Sequence, residues 1–182
     1  GTKVAVIGDF AKNPRYQGAG SSMVNSTQVD VLLDKLIDSE LNVIGYQQGF
    51  DRHGKPDAAL QKSACELAAQ ANAVILCMGL DEIAESEGLD RSNLRLAQNQ
   101  VDLLQAVKAV NPKIVVVLYS GSVVETPWLD NCQALLYAAL GGQAGAGAVA
   151  DALIGKVNPC GKLAETWPLT YADVPSAADF AT

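Results

Sequence analysis

Short apolar runs separated by helical stripes constrain this chain to one class of fold. Lys113–Tyr119 (KIVVVLY) is the clearest, apolar on successive positions as a strand covered on both faces must be. Lys3–Ile7 (KVAVI), Asn42–Tyr46 and Ala73–Gly79 (AVILCMG) read the same way, and Ala134–Leu140 and Leu163–Trp167 are two further candidate strands. Between them the apolar period changes to that of a helix. Val29–Ile37 (VDVLLDKLI) has Thr27 available as its N-cap, Pro56–Ala71 opens on proline, Gln98–Val110 ends at Asn111-Pro112, and Gly145–Ile154 is closed by Gly155. Strands alternating with helices imply right-handed βαβ units. The expected fold is α/β, a mostly parallel sheet of about six strands sandwiched between helices on both faces. The length of 182 residues suits one domain, taken as 1–170, with 171–182 (YADVPSAADFAT) aperiodic and expected as a surface tail or the start of a linker.

Charge excludes some partners. The formal net charge is −7, the pI is about 4.6, and only 5% of residues are aromatic. Nucleic-acid binding calls for a basic face, and an acidic chain gains nothing from anionic lipid, so neither nucleic acid nor membrane is an expected partner. A neutral substrate such as a sugar fits better. No apolar run approaches the ~20 residues of a membrane span. Cys65, Cys77, Cys132 and Cys160 include no C-x-x-C pair and read as buried free thiols, which leans toward a reducing compartment and a cytoplasmic location. The chain opens without Met or a charged-then-apolar signal region, as a fragment cut just before a strand would.

Chemistry concentrates in Glu85-Ser86-Glu87-Gly88-Leu89-Asp90-Arg91, soon after the third strand. Ligands of open parallel sheets bind beyond the carboxyl ends of strands. Two carboxylates, a glycine that permits a sharp turn and an Asp-Arg pair in that place suggest a site, against the plainer reading of a solvated acidic loop. Arg91 is expected to pair with Asp90 or Asp81 and pin the loop. Asp81, Glu82, Glu85, Glu87 and Asp90 offer oxygen ligands for calcium, but their spacing is not that of an EF-hand loop. His53 is the sole histidine, so no multi-histidine metal site exists, and neither a metal nor a cofactor is expected. Arg15–Ser22 (RYQGAGSS) follows the first strand but fails G-x-G-x-x-G because Met23 stands at the third glycine, so a nucleotide-binding α/β protein is a weaker reading. Gly141–Gly147 reads as close helix–sheet packing, Ser120 and Ser122 lack a nucleophile elbow, and Trp128 either stacks on a sugar or packs beneath the acidic loop, with packing favoured.

Several blocks, in order, form a known pattern: Val4–Gly8, Tyr16–Ser22, Gly79-Leu80-Asp81 leading to Glu85–Arg91, Val115–Leu118 with Ser120-Gly121, Glu125-Thr126-Pro127-Trp128, Gly141–Gly145, Asn158–Leu163 and Glu165–Pro168. The chain resembles the α/β sandwich domain of glycoside hydrolase family 3, the β-glucosidases and their relatives. It departs from the family at Ser26 and Ala97, where proline is usual, and at Cys160, where serine is usual. The resemblance implies a TIM-type barrel, on the same or another chain, that carries a nucleophilic aspartate in a Ser/Thr-Asp-Trp/Tyr motif; no such motif occurs here. It implies that this chain supplies the general acid/base of a retaining hydrolysis of terminal β-linked glucose, from a glucoside or oligosaccharide. That group falls in Glu-x-Glu-Gly-x-Asp-Arg, with Glu87 the first choice and Glu85 the second. Gly88, Asp90, Arg91 and Asp81 become its structural support, and Arg15, Gln17, Ser21, Ser22 and Trp128 candidate contacts to the sugar. The isolated chain is then expected to be nearly inactive. Two other expectations remain open: a non-catalytic docking or interaction module with an exposed apolar patch, and a homo-oligomer.

Overall fold

The computed structural model describes residues 1–179. Five strands form one fully parallel sheet: β1 (Lys3–Ile7), β2 (Asn42–Gln47), β3 (Ala73–Gly79), β4 (Ile114–Tyr119) and β5 (Ala134–Tyr137), in the order β2-β1-β3-β4-β5. The helices are α1 (Leu32–Ile37), α2 (Ala58–Ala68), α3 (Gln98–Val110) and α4 (Gly145–Leu153). With right-handed crossovers, the step from β1 to β2 and the steps from β2 to β3 and β3 to β4 put their helices on opposite faces. Accordingly α1 packs against α4, and α2 against α3. The central strands β3 and β4 are buried almost throughout, and Ile7, Leu76, Met78, Leu104 and Leu118 join the core with Phe10 and Leu36.

The sheet has five strands rather than six. Residues 163–167 form no strand: Leu163 is exposed, and Trp167 turns its ring edge-on to Tyr137 at 4.9 Å instead of extending the ladder. The candidate strand 134–140 stops at Tyr137, because Ala139 takes a positive φ of 51° that extended backbone excludes. Helix α1 is shorter than its sequence pattern. Val31 is extended and Asp30 donates its backbone N–H to the Gln143 carbonyl at 2.8 Å, so the first turn is drawn out toward α4 and Thr27 caps nothing. Helix α2 begins after Asp57, whose carboxylate accepts the N–H groups of Ala59 and Leu60 at 2.9 and 3.0 Å. Among the described residues no helix is long and apolar enough to cross a membrane. All four cysteines are free; Cys77 is buried, but Cys160 is exposed, against the expectation of burial.

Candidate functional site

Strands β1 and β3 are neighbours, and the chain leaves them in opposite directions across the sheet, to β2 and to β4. Their carboxyl ends mark a topological switch point, where open α/β sheets form a crevice. The loop after β1 and the loop after β3 meet there. Ala19 bridges Ser86, and the Glu87 N–H donates to the Ala19 carbonyl at 3.0 Å. Arg15–Ser22 and Glu85–Arg91 are therefore one assembly, although each follows a different strand.

The origin of the acidic loop is fixed by a residue without any sequence signal. Buried Gln100, on α3, donates from Nε2 to the Gly79 carbonyl and accepts the Gly79 N–H on Oε1, both at 2.9 Å. The side-chain amide thus completes the hydrogen bonding at the last residue of β3. Asp81 then accepts the N–H groups of Ile83 and Ala84 at 3.1 and 2.8 Å and pairs with His53 Nδ1 at 2.8 Å. Glu82 and Asp9 both hold Arg52: Nε donates to Glu82 Oε2 at 3.1 Å, Nη2 to Glu82 Oε1 at 2.5 Å and Nη1 to Asp9 Oδ2 at 2.5 Å. The guanidinium lies 4.5 Å from the Phe10 ring centroid, so the loops after β1, β2 and β3 are tied at one cation.

The two glutamates differ sharply. The side chain of Glu85 is 10% exposed and fully engaged. Its Oε2 accepts the Gly121 N–H at 2.9 Å, its Oε1 accepts the Ser122 hydroxyl at 2.5 Å, and Arg15 Nη2 stands 3.5 Å from Oε2. Arg15 is 2% exposed; it also donates to the carbonyls of Gln17 and Glu85. Glu87 is exposed, and among the described residues its carboxylate receives only Ser21: the backbone N–H reaches Oε2 at 2.6 Å, and the hydroxyl binds the same oxygen. These bonds, the hydroxyl's first and the amide's second, hold the Glu87 carboxyl below its ordinary range.

The structure places the remaining candidates as follows. Arg91 pairs with neither Asp90 nor Asp81. Its Nη1 donates to Ser122 Oγ at 2.7 Å and to the Val123 carbonyl at 2.9 Å, so its link to the acidic loop runs through Ser122 to Glu85. The loop after β4 supplies the acceptors that Arg91 Nη1 meets. Asp90 is exposed. Gln17 clasps its own loop through Val24 and Tyr16, and Ser22 is exposed. Trp128 is 3% exposed, with Nε1 donating to the Glu125 carbonyl at 2.9 Å, and it packs rather than presenting a face to solvent. Gly88 has φ +78°, a backbone conformation that most side chains resist. A cleft of about 520 Å³ beside the assembly is lined by Arg52, His53, Asp81, Asp90, Arg91 and Arg95 among others, and by neither Glu85 nor Glu87. Among the described residues no group of three or more His, Cys, Asp or Glu side chains converges to hold a metal ion. Sequence reasoning missed Gln100, Arg52 and Asp9, none of which belongs to a motif.

Of its two glutamates, the arrangement presents Glu87 to solvent, held by a serine, and locks Glu85 into the scaffold. Comparison with known proteins gives it a family. Residues 1–181 match the family described as Glycosyl hydrolase family 3 C-terminal domain. The chain is 43% identical over 180 residues to an exo-α-(1→6)-L-arabinopyranosidase of Bifidobacterium breve, covering 98% of this chain and 24% of that protein. It is 41% identical over 181 residues to the thermostable β-glucosidase B of Acetivibrio thermocellus, covering 97% and 24%. The crystal structure of the Bifidobacterium adolescentis GH3 β-glucosidase superposes with a TM-score of 0.93 at 45% identity, covering 99% of this chain and 27% of that one. The chain spans about a quarter of the length of these relatives. It belongs to glycosyl hydrolase family 3, as the C-terminal domain that these larger enzymes carry.

Proposed function

We propose that this chain supplies the general acid/base of a retaining β-glycosidase, with Glu87 as the acid/base and the nucleophile on a barrel domain. The observation that carries this reading is the contrast between the two carboxylates. Glu85 is saturated by Gly121, Ser122 and Arg15, whereas Glu87 is exposed at the switch point with Oε1 unengaged by any hydrogen bond among the described residues. Retaining hydrolysis needs two carboxyl groups about 5–5.5 Å apart; of the two glutamates of this motif, only Glu87 is free to serve as one of them. In the first step the Glu87 proton passes to the glycosidic oxygen as the C1–O bond breaks and its electron pair goes to that oxygen. The barrel nucleophile bonds to C1. In the second step Glu87, now a carboxylate, takes a proton from the water that attacks C1, the bond from C1 to the nucleophile breaks with its electron pair returning to the nucleophile, and the sugar is released.

A general acid must hold its proton near neutral pH. Exposed and bonded by Ser21, Glu87 does not do so in this chain alone. Docking of a barrel supplies what is missing, by burying the carboxyl and setting a second negative charge beside it. Met23, Val24, Ile83 and Leu89, all exposed, carry apolar surface on the same two loops and suit such a contact. Terminal β-linked glucose is the proposed substrate, supported by the β-glucosidase relatives.

In the full-length enzyme, Glu87→Gln is expected to slow alkyl β-glucosides by about 10²- to 10⁴-fold and to spare the glycosylation step of glucosides with activated aryl leaving groups. The 182-residue chain alone is expected to show no turnover of an aryl β-glucoside. An unchanged rate on alkyl glucosides in Glu87→Gln sinks the assignment.

A further inference from the structure

The hold of Ser21 on Glu87 is unusual in being one-sided. Both of its donors, N–H at 2.6 Å and hydroxyl, converge on Oε2. The backbone there is fixed from several directions. Ala19 accepts the Glu87 N–H and bridges Ser86, while Gly20 stands at φ +105°. A Cβ on Gly20 would lie 2.5 Å from the Glu87 Cβ and 2.9 Å from Oε2, so the two loops approach as closely as glycine allows. Three arginines of the surrounding loops are committed elsewhere, Arg15 to Glu85, Arg52 to Asp9 and Glu82, and Arg91 to Ser122 and Val123, while Asp90 and Arg95 are exposed. None forms an ion pair with Glu87 among the described residues.

Building on the acid/base assignment above, we infer that Ser21 is a positioning residue that fixes Oε2 of Glu87 and leaves Oε1 as the oxygen that exchanges the proton with the glycosidic bond. A backbone N–H can only donate, so Oε2 accepts in both protonation states, and a proton on Oε1 is the arrangement that keeps both Ser21 donors engaged. When that proton leaves for the glycosidic oxygen, the new negative charge is shared with Oε2, where two donors already stand. Charge-assisted hydrogen bonds to a carboxylate are the stronger kind. Ser21 therefore makes Glu87 the better proton donor in the first half of the reaction and the weaker acceptor in the second. Both Ser21 donors face the Glu87 carboxylate.

Two measurements test the inference separately from its premise. In the 182-residue chain, titration of the Glu87 side-chain carboxyl carbon by ¹³C NMR is expected to move to higher pH in Ser21→Ala and to return in Ser21→Thr. In the full-length enzyme, Ser21→Ala is expected to shift the alkaline limb of the kcat/KM profile upward. It is also expected to lower kcat about tenfold on an alkyl β-glucoside, with KM nearly unchanged. Ser21→Thr restores both. An unmoved titration in Ser21→Ala, with Glu87→Gln inactive on the alkyl glucoside, overturns the role of Ser21 alone. A moved titration with Glu87→Gln fully active overturns the acid/base assignment, and the inference with it.

Discussion

Glu85 and Glu87 sit two positions apart and meet opposite surroundings. Neither glutamate announces its fate locally. The partners that claim Glu85 lie 36 and 37 residues away on the loop after β4, and Arg15 lies 70 residues back. The spacing of the motif locates the site but cannot rank its two carboxylates, because the ranking is decided by which one the sheet delivers to buried donors. Arg15 is the residue whose loss costs most here. Arg15→Ala leaves the Glu85 carboxylate with its burial and without its cation, and breaking such a pair costs about 3–5 kcal/mol. Urea denaturation of the variant is expected to show that loss. Glu87→Gln, on an exposed carboxylate, is expected to stay within about 0.5 kcal/mol of the unaltered chain. A large destabilisation by Glu87→Gln contradicts the division between a scaffold glutamate and a free one.

At the level of elements, the strength of a local period decides how well a segment reads. Helix α3 is legible from Gln98 to Val110 because Leu103, Leu104 and Val107 recur at helical spacing and Asn111-Pro112 stops it. Helix α1 loses its first turn to a tertiary hydrogen bond from Asp30 to Gln143, which no local period encodes. Residues 163–167 look like a strand, yet the ring of Trp167 finds Tyr137 and the segment never joins the sheet. The same limit hides Gln100, which looks like any polar helix residue until α3 is laid on β3. Gln100→Ala is expected to cost about 1–3 kcal/mol by stranding the Gly79 amide and carbonyl, and hydrogen exchange at the end of β3 is expected to quicken. The tie among the loops after β1, β2 and β3 depends on pH. Partial burial by itself raises the Glu82 carboxyl, but its bonds to Arg52 prevail and hold it below its ordinary value. A group lowered on folding adds stability above its unfolded value and loses it as pH falls through the folded one. The Arg52–Glu82 contribution is therefore complete at neutral pH and fades below about pH 4. Thermal melts from neutral to acid pH are expected to show a shallower decline in Glu82→Gln; an identical slope shows that the pair is not coupled to folding.

For the whole molecule, the decisive property is that all five strands point the same way. The loops of the candidate site leave from one margin of the sheet, and the apolar side chains of Met23, Val24, Ile83 and Leu89 accompany them. Replacing Ile83 and Leu89 together by lysine is expected to weaken association with a separately produced barrel domain at least tenfold, by light scattering or calorimetry. The melting temperature of the isolated chain should be left almost unchanged. Equal association by the double variant shows that this rim is not the contact. The opposite margin of the sheet, where strands begin rather than end, includes the exposed residues Glu40, Pro112 and Lys113. It holds none of the groups proposed for catalysis, which makes it the natural place to attach a bead or a fluorophore without touching the loops beyond the other margin.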